Sequence, residues 1–301
     1  MATYCMSDIH GHKLELDIML SKIKFSDKDE LYILGDIIDR GYESAELLMW
    51  AVSAPKNIHF LIGNHEDVAL EVLRNDPITM GTELDDMDDD ILPGMYGTGQ
   101  NGVWAGTIWG KNGGEETADA LFDLTTATWR ERTLLPWLES LPTHKQVTCG
   151  RRSYMLVHAG FNPFSFAGET REKGDIDLSD DGRRKNFENI GHGFGRQSRF
   201  DMLWIRDDWI YDYQTATMTT IHGHTPTDWD VIADLHEYGI SVTGKPGRIC
   251  RYMNKIDIDC GCAHEAGKGH ALGCLRLDDL AEFYVPIIPD DYRFEMLLRS
   301  W

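Results

Sequence analysis

The 301-residue chain has no apolar run near the roughly 18 residues needed to cross a bilayer. Its opening, "MATYCMSDIHG", lacks the basic stretch and apolar segment of a secretory signal. Cations are scarce: 29 Lys and Arg stand against 50 Asp and Glu, for a formal net charge of -21. Such a chain repels nucleic acid and anionic membrane surfaces, so neither is expected as a partner. Cysteine is also scarce, with six in all, scattered through apolar stretches. The one close pair, Cys260-Gly-Cys262, is spaced more tightly than a structural zinc site requires. Reduced thiols and a cytoplasmic setting are therefore expected. The chain contains no internal repeat and no linker, and 42% of it is hydrophobic. One domain over 1–301 is expected, with enough apolar residues for a sizeable core.

The first 75 residues alternate apolar runs of two kinds. "ATYCM", "LYIL" and "IHFLI" read as strands; "KLELDIMLSKI", "SAELLMWAV" and "EDVALEVLR" read as helices. That βαβαβα order predicts parallel strands joined by helical crossovers. Two long irregular stretches are read as surface insertions, near 75–116 and 161–200. Between them "ETADALFDL" and "LLPWLESL" read as helices, and "SYMLVHAG" as a strand returning to the first sheet. From Met218 onward "MTTIHGHT", "GRICRYM", "KIDIDCG", "GCLRLDD" and "EFYVPII" read as short strands of a second sheet packed on the first.

The chemistry lies where the strands stop. "LYILGDIIDRG" runs from an apolar strand straight into Asp36, Asp39 and Arg40, residues that are costly to pack unless something binds them. "SDIHG" and "GNHE" end the neighbouring strands, and strand carboxyl ends are where α/β folds place their sites. Asp8 and His10, two apart, would face one side of an extended backbone. Asp36, Asn64, His158 and His224 each follow an apolar strand. Carboxylate, amide oxygen and imidazole suit borderline divalent ions such as Mn, Fe or Zn. Six such ligands exceed the needs of one catalytic ion and fit two ions sharing a bridging carboxylate.

"SDIHG", "GDIIDRG", "GNHE", "LVHAG", "LWIR" and "IHGHT", in that order, resemble the signature of the phosphoprotein phosphatase family of calcineurin-like metallophosphoesterases. The likeness is greatest to the small bacterial and phage serine/threonine protein phosphatases. The resemblance implies an α/β sandwich of two mixed β-sheets flanked by helices, with the site at strand carboxyl ends. It implies that Asp8 and His10 hold one ion, that Asp36 bridges both, and that Asn64, His158 and His224 complete the second. His224 rather than His222 is the metal-binding histidine of its motif. Arg40 and Arg206 match the arginines that grip phosphoryl oxygens, with Asn64 beside them. His65 matches the general acid, and Asp39 the carboxylate that orients it. Two divalent ions are implied as cofactors, Mn2+ first, with Fe or Zn as alternatives.

The implied reaction is hydrolysis of a phosphate monoester by a metal-activated water. A phosphorylated protein or a small phosphoester is the expected partner, and a serine/threonine protein phosphatase the first reading. A diadenosine tetraphosphate hydrolase is the alternative, and a non-catalytic phosphate-binding protein the third. "WGKNGGEET" (Trp109 to Thr117) also resembles a stretch of bacterial relatives. It is read as a glycine-rich turn capping a helix, or else as a border of the substrate groove. Ser7 replaces the usual glycine before Asp8, and Gly41 is expected to let the chain turn. Trp104, Trp109 and Trp137 are read as packing the first insertion onto the domain. The acidic run Glu83 to Asp90 is read as a solvated face.

Overall fold

The computed structural model describes residues 1–75, 108–162, 197–211, 218–289 and 291–293. Most of both expected insertions, including the acidic run and Trp104, lies outside those residues.

The opening folds as the sequence pattern predicts. Strand β1 (Thr3–Met6) leads to helix α1 (Lys13–Lys22), β2 (Glu30–Ile33) to α2 (Ser44–Val52), and β3 (Ile58–Phe60) to α3 (Asn64–Asn75). The three strands run parallel, with Tyr4 beside Leu31 and Leu31 beside Ile58. Each helix forms because its apolar residues recur at three and four positions. Leu16, Met19 and Ile23 do so around α1, and Leu47, Leu48 and Ala51 in α2. These residues bury themselves against the outer face of the sheet, together with α4 (Glu115–Leu124) and α5 (Leu135–Ser140).

The second half of the chain departs from the expected strand assignment. Strand β4 (His144–Cys149), which the sequence reading missed, pairs antiparallel with β5 (Arg152–Val157). β5 then joins a second sheet rather than the first, beside β6 (Thr219–His222). That sheet is completed by β7 (Val242–Thr243), β8 (Cys250–Tyr252) and β9 (Lys255–Asp257), in the order β4-β5-β6-β9-β8-β7. Strands β10 (Ala271–Arg276) and β11 (Glu282–Pro286) return to the first sheet, giving the order β11-β10-β1-β2-β3. Both sheets mix parallel and antiparallel pairs. The physical reason for the exchange is an open edge. β1 pairs with β2 on one side only, and its other row of backbone groups needs a partner, which the antiparallel β10 supplies.

Among the described residues, the helices that shape the site region were also unread: α6 (Arg199–Trp204), α7 (Asp207–Ile210) and α8 (Trp229–Glu237). Asp228 caps α8 by accepting the Val231 N–H at 3.1 Å, and Ile232 and Leu235 bury its inner face.

The sheets pack face to face. Cys5, Leu34 and Leu61 from the first meet Leu156, Ile221 and Ile256 from the second in one core cluster. Another apolar cluster lies between the second sheet and α6, α7 and α8. Strands β1, β2 and β3 of one sheet and β5 and β6 of the other therefore end together at one rim of the sandwich.

Candidate active site

At that rim the loops are stitched by backbone hydrogen bonds. Asp8 donates to Gly35 at 3.2 Å, His10 to Asp36 at 3.0 Å, and Gly11 to Ile37 at 2.8 Å. The second sheet is tied in when Gly223 donates to the His158 carbonyl at 2.8 Å and His224 to Asp8 Oδ2 at 3.0 Å. Nine non-glycine residues with positive φ occur among the described residues, and six of them are here: Asp8, His10, Asp36, Asp39, Arg40 and His224. L-residues avoid that region, so the site holds its side chains on strained backbone.

Two local expectations are corrected by that finding. Asp8 and His10 converge through left-handed turns, at φ 54° and 47°, and not by alternation along a strand. The turn after Asp36 is likewise made by Asp39 and Arg40 themselves, at φ 72° and 68°. Gly41 is needed for close approach instead, since a Cβ there would fall 2.2 Å from the His10 carbonyl oxygen. Gly63 is required for a similar reason, because its Cβ would lie 2.1 Å from Asp36 Oδ1. Ser7 is buried opposite Gly223, whose missing side chain leaves it room: a Cβ there would fall 2.4 Å from Ser7 Oγ.

All six candidate ligands are buried. Asp36 Oδ2 lies 3.3 Å from His158 Nε2 and 3.8 Å from His10 Nε2. His10 Nε2 is 4.0 Å from Asp8 Oδ1. His158 Nε2 is 2.9 Å from Asn64 Oδ1 and 3.2 Å from His224 Nδ1. Two donor groups result that could each hold a cation: His10 with Asp36 and His65, and Asp36 with His158 and His224. Asp36 belongs to both.

The outer ring nitrogens fix the tautomers. His10 Nδ1 donates to the Ile38 carbonyl and His158 Nδ1 to the Leu34 carbonyl, each at 2.9 Å. Nε2 of each ring is thereby turned inward, the arrangement that metal-binding histidines adopt; in the metal-free protein the His158 Nε2 carries a proton that an ion would displace. His224 Nε2 is buried with no hydrogen-bond partner. It is His224 Nδ1 that turns to the His158 ring, and two imidazole nitrogens closing on a carboxylate and an amide oxygen are the chemistry of a divalent-ion site, which the residues fit.

Electrostatics supports that fit. Burial, helped by neighbouring positive groups, holds His10 and His224 well below the ordinary imidazole range, so both are neutral and able to coordinate. Burial also lifts Asp8. For Asp36 burial pushes up, but His158 and His65 outweigh it and keep the carboxyl well below its usual value. His158 is the reverse: burial opposes its charge, yet Asp36 and Asp8 raise it to about 9.

Beside these groups, His65 Nδ1 sits 2.6 Å from Asp39 Oδ2, both side chains out of solvent. Burial pulls His65 down, but Asp36 and Asp39 prevail and hold it above the ordinary range. The Arg40 fork rests between two rings, Nη1 at 3.3 Å from His10 Nε2 and Nη2 at 3.1 Å from His65 Nε2. Arg206, at the start of α7, approaches with its Nη1 donating to the His224 carbonyl and to Thr225 Oγ1, each at 3.1 Å. His222 points elsewhere: it bonds the Tyr252 hydroxyl at 3.0 Å, and burial lowers it to about 3.

Of two further site neighbours, the sequence reading gives Glu66 no role, and Trp109 only that of packing or of part of a border of the groove. The Glu66 carboxylate accepts backbone N–H groups of Asp36 at 2.8 Å, Ile37 at 2.9 Å and Gly63 at 3.0 Å, bracing the loop that carries Asp36. It stands in "GNHE", where an acid in the first turn of a buried helix was the available signal. Trp109 donates its indole N–H to Asp39 Oδ2 at 2.8 Å. The following turn does cap α4, with Gly114 at its N-cap, but it also holds Arg40. The Gly113 carbonyl accepts from the Arg40 N–H at 3.2 Å and the Asn112 carbonyl from Nε at 3.4 Å.

A two-sheet α/β sandwich with buried carboxylates and imidazoles gathered at one rim is the architecture of a metal-dependent hydrolase. The chain belongs to the calcineurin-like phosphoesterase family, whose model matches residues 1–266. Among similar curated proteins, a symmetrical bis(5'-nucleosyl)-tetraphosphatase of Acidovorax ebreus is 29% identical over 171 residues, 56% of this chain and 48% of that one. One of the same name from Paracidovorax citrulli is 39% identical over 173 residues, 57% and 49% of the two chains. The chain thus spans about half the length of the curated relatives it matches. A crystal structure described as a candidate diadenosine tetraphosphatase superposes with a TM-score of 0.51 at 15% identity, covering 94% of this chain and 92% of that one. That likeness speaks for the fold alone.

Proposed function

We propose that residues 1–301 form one catalytic domain that hydrolyses phosphate monoesters, with phosphoserine and phosphothreonine side chains as the substrate class. The observation that carries this reading is the buried His65–Asp39 pair set against Asp36. An alkoxide is a poor leaving group and needs a proton as it departs. A nucleotide phosphate leaves readily without one. A dedicated, charge-supported acid therefore favours an alkyl ester.

In this reading Asp8 and His10 hold one divalent ion, Asn64, His158 and His224 the other, and Asp36 both. When bound, such ions neutralise phosphate charge and lower the pKa of a coordinated water towards neutrality; Mn2+ is the first choice, with Fe or Zn as alternatives. Arg40 and Arg206 offer planar forks to the phosphoryl oxygens from opposite sides of the site, with Asn64 adding its amide. An arriving phosphoryl group would draw the Arg40 fork off the His65 ring, leaving Nε2 free to take up a proton and pass it to the leaving oxygen. Asp39 holds the opposite ring nitrogen and keeps the ring aimed. About +4 from two ions and +2 from the arginines exceeds -2 from Asp8 and Asp36, which is how so acidic a chain would receive an anion. Six free cysteines suit a reducing, cytoplasmic setting.

The second reading, hydrolysis of dinucleoside tetraphosphates, is favoured by the names of the curated relatives. A paired assay separates the two. Metal-stripped protein is reloaded with Mn2+ and offered either a phosphoserine/phosphothreonine peptide or diadenosine tetraphosphate. Phosphate release from the peptide with the dinucleotide intact supports the first reading. Cleavage of the dinucleotide alone transfers the function to the second. Silence on both, with Mn2+ bound, rejects both.

A further inference from the structure

Trp109 lies some 70 positions from Asp39, in the stretch "WGKNGGEET" and not in the six ordered motifs, yet its indole reaches the proposed acid pair. The side chain is 1% exposed. Its N–H and the His65 Nδ1 meet the same oxygen, Asp39 Oδ2, at 2.8 and 2.6 Å. The other oxygen, Asp39 Oδ1, is buried and has no hydrogen-bond partner. Among the described residues, no hydrogen bond on the Oδ1 side fixes the rotation of this carboxylate.

Burial alone does not explain the pairing. Trp204 and Trp209 each keep a buried indole nitrogen with no partner, so this fold tolerates unpaired indoles. The Trp109 ring is also placed with care. The Gly114 N–H donates to the Trp109 carbonyl at 2.8 Å, and a Cβ on Gly114 would lie 2.0 Å from the indole Cδ1. The glycine is what lets that edge of the ring, beside the N–H, settle beneath the turn.

We propose that Trp109 is a positioning residue for proton donation by His65, its indole N–H holding the Asp39 carboxylate so that Oδ2 stays on the histidine ring. This rests on the reading of His65 as the general acid. In that step a water oxygen bonds to phosphorus and the ester P–O bond breaks. The bonding pair stays on the leaving oxygen, and the His65 Nε2 proton converts it to an alcohol. The proton shed by the water balances the one given. Trp109 touches none of the reacting atoms. Its effect passes through Asp39 and should therefore scale with how much the leaving group needs a proton.

The test uses full-length, Mn2+-loaded protein and the variants Trp109→Phe, Asp39→Asn and His65→Asn, with a phosphoserine peptide and 4-nitrophenyl phosphate as substrates. Trp109→Phe keeps an aromatic ring in the core but removes the indole N–H together with some volume, which is why the comparison of two esters, and not the loss on one, is decisive. The variant should lower kcat on the peptide about tenfold or more, with KM within about twofold, and leave nitrophenyl ester turnover within about twofold. In an Asp39→Asn background it should add no further loss. Equal losses on both esters, or additive losses in the double variant, would show a packing role and overturn the proposal. His65→Asn tests the underlying reading separately. If it slows both esters equally, the proton-donor assignment fails and the role of Trp109 falls with it. If Trp109→Phe does not fold, the indole N–H signal of 15N-tryptophan-labelled protein decides. It should move upfield in Asp39→Asn, and an unmoved signal overturns the proposal.

Discussion

Asp36 and His158 leave strands of different sheets, yet Asp36 Oδ2 comes within 3.3 Å of His158 Nε2 with both side chains buried. This contact joins the two halves of the candidate centre. A cation held there would take one ligand from each sheet, so ion binding and the packing of the sandwich are coupled.

Asp36 and His224 should differ when removed. Asp36→Asn weakens the one carboxylate common to both donor groups, whereas His224→Ala strips one group only. Metal analysis after dialysis should find almost no Mn2+ on the first variant and about one ion per chain on the second. Turnover should fall by roughly three orders of magnitude in Asp36→Asn. Equal retention by both variants would count against Asp36 as a bridge.

The metal-free protein should lose stability between about pH 7 and 9. His158 is held near 9, against 6.5 for an ordinary histidine, chiefly because Asp36 and Asp8 overcome its burial. A raised folded value stabilises fully below 6.5, and that contribution is lost as pH climbs through 9. Glu66, pushed by burial and Asp36 to about 7, acts in the same direction around neutrality. Melting temperature in excess chelator should therefore fall across this window. Mn2+ binding at pH 8 should release a proton, read by calorimetry in buffers of different ionisation enthalpy. A melting temperature that rises with pH would exclude the charged Asp36–His158 pair.

Glu66→Gln should destabilise the fold by about 2–3 kcal/mol, because one amide oxygen replaces two carboxylate oxygens and leaves buried N–H groups without an acceptor. The loop it braces carries Asp36, so Mn2+ affinity should drop as well. Thermal melts and metal titration of the same preparation check both effects. A stable variant with unchanged affinity would mean that the backbone holds this loop unaided.

Arg40→Lys should reduce kcat/KM by tenfold or more on phosphopeptide, since a point charge replaces a two-point fork. The ammonium would also lack the Nε contact to the Asn112 carbonyl that now steadies the guanidinium. Steady-state kinetics with folding verified by circular dichroism is sufficient, and an unchanged kcat/KM would show that Arg206 alone grips the phosphoryl group.

The candidate ligand types were legible as a cluster because their signal is local. A strand that ends in Asp-x-His, Gly-Asp or Gly-Asn-His states its chemistry within five residues, and the structure brings Asp8, His10, Asp36, Asn64, His158 and His224 to one rim. Sheet membership was not legible. The local pattern of β5 is apolar whichever sheet receives it, and the return of β10 beside β1 depends on an open edge that no window of sequence displays. Trp109 was visible as a residue but not as a partner. Its hydrogen bond spans the first long insertion, and packing was the natural reading of a lone aromatic there. Gly41 misled for a related reason: glycine suggested the turn, while Asp39 and Arg40 adopt it.

The left-handed backbone at Asp8, His10, Asp36, Asp39, Arg40 and His224 has an evolutionary consequence. Each of these conformations costs about 1 kcal/mol or more for a residue bearing a side chain. Glycine would relieve that cost and delete the group. Selection for a sturdier chain and selection for a working one therefore pull in opposite directions at the same six places. A descendant released from catalysis would drift towards glycine or asparagine there first. The residues occupying those six dihedral traps in any relative are thus a gauge of whether it is still under selection for catalysis.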